Sequence, residues 1–161
     1  MSKISPCLWF DGEAETAANA YVSIFRDCGQ DAAIGDVMRW GDAGPGPKGS
    51  VLTVDFTLAG QTFIALNGGP QFSFTPAMSL SVECANQVEV DRFWDRLSEG
   101  GELVQCGWLR DRFGVSWQVV PTMLPNMLRD KDTARVARVM QAMMQMIKLD
   151  IATLQAAYDG G

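Results

Sequence analysis

The 161-residue chain contains no histidine. That absence excludes Ser-His-Asp triads, Cys-His nucleophile pairs, imidazole-ligated metals and imidazole general bases. Basic side chains are also outnumbered: 13 Lys and Arg face 19 Asp and Glu, for a formal charge of −6. Phosphate neutralisation needs a basic surface, so a nucleic-acid partner is not expected. No apolar run approaches the roughly 18 residues of a membrane span, and no membrane partner is expected. Met1-Ser2-Lys3-Ile4-Ser5-Pro6 lacks the basic and apolar stretches of a secretory leader. Cysteine is sparse and scattered: Cys7, Cys28, Cys84 and Cys106 include no C-x-x-C pair. Neither a disulfide scaffold nor a structural zinc site is expected from that spacing, and the thiols read as reduced, in a cytoplasmic protein.

What the chain does have is an ordinary globular balance, 47% apolar and 20% charged residues. Residues 3–10 read as a strand, with Pro6 marking an edge or a bulge. From Glu13 to Phe25, Ala17, Ala18, Tyr21, Val22 and Phe25 recur at helical spacing. Strands are expected over 31–40, 51–58 and 61–67. The glycine- and proline-rich stretch 41–49 forms a loop, either a lid or a plain connection. A second set then follows: a strand over 78–84, a helix over 88–97 carrying Val90, Phe93, Trp94 and Leu97, and strands over 103–106, 108–110 and 115–120.

A 72-residue offset lays Leu8 on Leu80, Phe10 on Val82, Tyr21 on Phe93 and Phe25 on Leu97. The expected class is therefore α+β, with two βαβββ modules (1–70 and 76–121) and a helical tail (122–161) in a single domain. One helix covers one sheet face only. The remaining faces are expected to curve around a shared cleft, where small-molecule sites concentrate. In the tail, Asp132 and Asp150 suit helix caps. Val136, Val139, Met140, Met143 and Ile147 are expected on one face, with Arg135, Arg138, Gln145 and Lys148 opposite. Six of the nine methionines fall between Met123 and Met146, as a packing face or a partner surface.

Three segments carry a resemblance: Cys7-Leu-Trp-Phe-Asp-Gly-Glu-Ala-Glu with the helix after it, Phe63-Ile-Ala-Leu-Asn-Gly-Gly-Pro70, and Cys106-Gly-Trp-Leu-Arg-Asp-Arg-Phe-Gly-Val-Ser-Trp-Gln-Val-Val-Pro121. Together they resemble the PhnB-like branch of the vicinal oxygen chelate superfamily, the glyoxalase and bleomycin-resistance fold. The resemblance spans almost the whole chain, tail included. It implies paired modules, a homodimer and the label demethylubiquinone methyltransferase-like. The superfamily's metalloenzymes place His, Glu or Gln ligands on strands facing the cleft. By that pattern Asp111-Arg-Phe-Gly114 puts Gln118 at the last-strand ligand position, but the first-strand position falls on Ile4. No metal and no cofactor are therefore expected. A methyl-donor site needs a strand, a glycine-rich turn and a helix. Gly68-Gly69-Pro70 leads instead into Gln-Phe-Ser-Phe-Thr-Pro.

Ligand-binding candidates are Trp9, Trp40, Asn67, Trp108 and Gln118, and catalytic candidates are Gln118, Glu83 and Cys106. Gln118 alternates with Trp117 and so faces away from it. Asn67 serves a ligand or a turn. The three tryptophans are aromatic walls or core. Cys106 is a buried hydrophobe, or a thiol activated by Arg110 and Arg112 if they approach it. Glu83 is an interior base, or a cap for the following turn. The expected function is metal-independent binding or sequestration of a small molecule in the cleft. The alternative is an enzyme in that cleft, either glyoxalase- or dioxygenase-related or the methyltransferase of the label.

Overall fold

A computed structural model of the chain describes residues 2–161. It divides into two compact units, one reaching to Phe74 and the other spanning Thr75–Gly161. The first unit is built from β1 (Cys7–Phe10), α1 (Ala14–Asp27), β2 (Ala32–Arg39), β3 (Val51–Leu58) and β4 (Gln61–Asn67). Its sheet has the order β1-β4-β3-β2, with β1 parallel to β4 and the other pairs antiparallel. β1 is thus an edge strand, as Pro6 requires, since proline has no N–H for a ladder. The strand is shorter than the expected 3–10: it begins at Cys7, directly after Pro6.

The apolar stripe of α1 buries Ala14, Ala17, Ala18, Tyr21, Val22 and Phe25. These side chains meet the alternating inward residues of β3, Val54, Phe56 and Leu58. Tyr21 stacks on Phe56 with centroids 6.1 Å apart, and Phe56 on Phe63 at 5.2 Å. Each large side chain buried this way contributes roughly 1.5–3 kcal/mol.

The second unit repeats the plan with β5 (Ser79–Cys84), α2 (Gln87–Ser98), β6 (Glu102–Leu103), β7 (Trp108–Arg110) and β8 (Ser116–Pro121). Its order, β5-β8-β7-β6, again pairs the first strand parallel to the last. The two βαβββ modules read from the 72-residue offset are present. Asn86 caps α2 by accepting the Glu89 N–H at 3.0 Å, and Val90, Phe93, Trp94 and Leu97 are buried. The strand expected over 103–106 is reduced to Glu102–Leu103. Beyond it the Val104 N–H turns back to the Trp108 carbonyl at 2.9 Å, and Cys106 takes a left-handed φ of 61°.

Three helices follow: α3 (Met123–Leu128), α4 (Thr133–Met144) and α5 (Ile151–Asp159). Asp132 and Asp150 cap α4 and α5 through their carboxylates. Leu124, Met127, Val139, Leu149 and Leu154 form their core, with Val120, Met123, Met143 and Met146 packed against it. Most of the tail's methionines therefore pack inward, whereas Met140 and Met144 are exposed. Three expectations change here, the exposure of Met140 being one. Because α4 ends at Met144, Ile147 leaves the stripe and is exposed. Arg138 turns inward, donating to the Ala157 and Tyr158 carbonyls at 2.8 and 3.1 Å. A cation at the open carbonyls of a helix C-terminus offsets their partial negative charge.

Candidate functional site

The second sheet has one face covered by α2, where Leu109, Trp117, Val119, Val82 and Cys84 are buried. Strand alternation sends their neighbours to the opposite face. Register then places Trp108 on β7 beside Gln118 on β8, with Ser81 on β5 across from Gln118 and Glu83 across from Val120. Three of the candidates, Gln118, Trp108 and Glu83, thus share this open face. The Gln118 Nε2 donates to Ser79 Oγ at 3.0 Å, which fixes the carboxamide. Ser79, in the strand before the helix, was not picked out in the sequence because its partner lies 39 residues away.

The turn before β8 is held by a buried carboxylate. Asp111 Oδ1 accepts the N–H groups of Phe113 and Val115 at 2.8 and 3.0 Å, and Oδ2 accepts the Trp117 indole N–H at 2.9 Å. Asp111 is only 5% exposed. It sets the direction in which the chain enters β8 and so where Gln118 points. Its signal in the sequence is the Asp-x-x-Gly turn followed by Trp117.

Glu83 is exposed, not interior. Val82 and Cys84 flank it in the strand and are buried, so packing them toward α2 turns Glu83 the other way. It does not cap α2 either, since Asn86 does. Cys106 lies outside the strands, in the turn before Trp108, and is half-buried. Arg110 pairs with Glu102 at 2.7 Å, and Arg112 stacks over the Phe113 ring at 4.7 Å.

In the first unit, Trp40 and Asn67 border one groove of about 470 Å³, together with Gly12, Glu15, Thr16, Pro47, Ser50 and Val51. Asn67 is tied into the framework: Oδ1 accepts the Ala14 N–H at 2.9 Å and Nδ2 donates to the Val51 carbonyl at 3.1 Å. It satisfies an open N–H in the first turn of α1. The 41–49 loop folds onto the Trp40 indole, which lies against Gly44 and Gly46. Trp9 is clamped too. Its indole N–H donates to the Gly69 carbonyl at 2.9 Å, its ring meets Phe72 edge-on at 4.9 Å, and a Cβ at Gly68 would lie 2.4 Å from it. That contact explains the glycine pair after β4, which runs into coil.

A mononuclear chelate centre does not fit these donors. The open face offers hydroxyls, one carboxamide and the carboxylates of Glu83 and Glu102, the latter paired with Arg110. Among the described residues no three Cys, Asp or Glu side chains gather in a metal-binding group. Oxygen-ligated cations need several converging carboxylates or carbonyls.

The family model for 3-demethylubiquinone-9 3-methyltransferase matches residues 2–120. The chain belongs to this family. Among solved structures it is similar to the PhnB protein of Bacillus cereus, at 36% identity over 75% of this chain and 100% of that one, with a TM-score of 0.67. A protein from Pseudomonas aeruginosa is similar at 20% identity, covering 75% of this chain and 98% of that one, with a TM-score of 0.61. The genomically encoded fosfomycin resistance protein FosX from Listeria monocytogenes shares the fold at 15% identity, over 78% of this chain and 96% of that one, with a TM-score of 0.51. The fold is α+β, two four-stranded mixed sheets with helices, as in these relatives. No curated protein matches the chain. The expectation that the resemblance includes the tail is corrected: the family match ends at residue 120, before α3.

Proposed function

We propose that the protein binds a small, largely planar molecule on the open face of its second sheet, without a metal. The observation supporting this is the pairing of Trp108 with Gln118 on adjacent strands of the face that α2 leaves uncovered. An indole supplies apolar area and a stacking surface. A carboxamide anchored by Ser79 supplies an oriented hydrogen-bonding group beside it. Such a combination, apolar walls with a few placed polar groups, is what small-molecule sites share. Nothing on that face is built to activate a nucleophile, so sequestration fits it better than turnover.

The test is titration with prodan, an uncharged naphthalene fluorophore, alongside thermal shifts with planar aromatic compounds. Trp108→Ala is expected to weaken prodan binding about tenfold, a loss of about 1.4 kcal/mol. Equal affinity in wild type and variant would remove the reading.

Methyl transfer is the second reading, favoured by the family's description. Against it stand the glycine-rich segments after strands of the first unit: the 41–49 loop leads into β3, and Gly68–Gly69 accommodates Trp9 and leads to no helix. Calorimetric binding of S-adenosylmethionine by the purified protein would restore that reading. The resemblance further implies a homodimer, and gel filtration is expected to show about twice the 17.6 kDa chain mass. The four free cysteines suit a reducing compartment, the cytoplasm.

A further inference from the structure

The tail is an addition to the shared core. The family match stops at residue 120, and the Bacillus cereus protein, aligned along its whole length, accounts for 75% of this chain. Between α4 and α5 the chain forms a strap, Met146–Ile151, lying against the turn that leads into β7. The Cys106 N–H donates to the Met146 carbonyl at 2.9 Å and the Gly107 N–H to the Ile147 carbonyl at 2.8 Å. The Gly107 carbonyl in turn accepts the Val119 N–H at 2.8 Å. One residue, Gly107, therefore links the strap to β8 through its own N–H and C=O.

Side chains complete the attachment. Leu149, 1% exposed, occupies the space a side chain at Gly107 would fill: an added Cβ would lie 2.9 Å from the leucine and 3.0 Å from the Val119 carbonyl. Gly107 also has a φ of +81°, which L side chains rarely adopt. On the other flank Gln87, at the start of α2, donates to the Leu149 carbonyl at 3.2 Å and accepts the Ile151 N–H at 2.8 Å. Lys148 pairs with Asp91 on the same helix at 2.9 Å. Val120, on the open face, packs against the tail's core. The strap is thereby fastened to α2, to the turn before β7 and, through Gly107, to β8.

We propose that this strap is a positioning element for the binding face, and that Leu149, seated against Gly107, fixes Trp108 beside Gln118. The inference rests on the reading of that face as the ligand surface. The tail then sets how tightly and how selectively a planar ligand is held, a control that the shared core lacks.

The experiment uses the full-length protein, with Leu149→Ala, Leu149→Met and Gln87→Ala, and two readouts. One is amide hydrogen exchange at Cys106, Gly107 and Val119. The other is affinity for prodan. Leu149→Ala is expected to accelerate exchange at the three amides and to weaken prodan binding about tenfold, and Leu149→Met to recover both. Gln87→Ala leaves the leucine in place, so it folds even if the leucine variant does not. Its expected effect has the same direction, at about threefold. Faster exchange with unchanged prodan affinity in these variants would overturn the inference while leaving the binding face intact. A wild-type protein that binds no prodan would instead remove the binding reading itself, and the inference with it.

Discussion

Asp111 shows how much one side chain decides in this molecule. Its carboxylate accepts three hydrogen bonds, two from the turn and one from the fully buried Trp117. Removing the acceptor leaves a buried indole N–H and two backbone N–H groups without it, each costing about 1–3 kcal/mol where water cannot compensate. Asp111→Ala is therefore expected to destabilise the protein by about 3 kcal/mol, read as a lowered midpoint in urea unfolding. Retained stability would mean that water reaches the turn. The same residue shows why the sequence was legible only in part. Strand alternation turns Gln118 away from Trp117, as the ladder of β5, β8 and β7 has it. The carboxylate's own burial depended on where Trp117's indole came to rest, which spacing does not specify. Glu83 differs for a simpler reason: alternation turns it away from α2, and the face it reaches leaves it exposed.

At the scale of elements, periodicity carried the helices and the long strands well. The stripes of α1 and α2 each face a sheet, so tertiary packing and local pattern agree. Short elements were harder to place. β6 is two residues long because the Val104 N–H turns to the Trp108 carbonyl, a bond between residues that look like consecutive strands. In the tail, the apolar spacing runs on to Ile147, past the end of α4, since nothing local marks where the strap begins.

The tail's attachment also has an acid sensitivity. Asp91 is held below the usual carboxylate range first by its hydrogen bond from Gln87 and then by Lys148. Asp130 is lowered by the Tyr158 hydroxyl and the Asp132 N–H. A carboxylate whose folded pKa is depressed adds stability that is complete above its unfolded pKa and fades as pH falls through the folded value. The stabilisation is thus intact above about pH 4 and lost below it. Protection from exchange at Cys106 and Gly107, corrected for the intrinsic pH dependence of amide exchange, is expected to fall as pH drops below about 4, ahead of amides in β3. Simultaneous loss of protection everywhere would assign no special role to these two acids.

For the whole molecule, the repeated plan is the part that was most legible, because an offset compares the chain with itself and needs no outside reference. What the offset did not reveal is the addition beyond residue 120, which has no counterpart in the first module. In both modules the leading strand is the one paired parallel to the last: Cys7 lies beside Ile64, and Ser79 beside Ser116. Each module's opening strand thus leaves the ribosome well before the strand it pairs with, and closing that long loop carries an entropic cost that the β2–β3–β4 meander does not meet. Synthesis in the cell must therefore hold two sticky leading strands unmatched in turn, and the shortness of β1, with Pro6 at its entrance, limits what else can attach to it meanwhile.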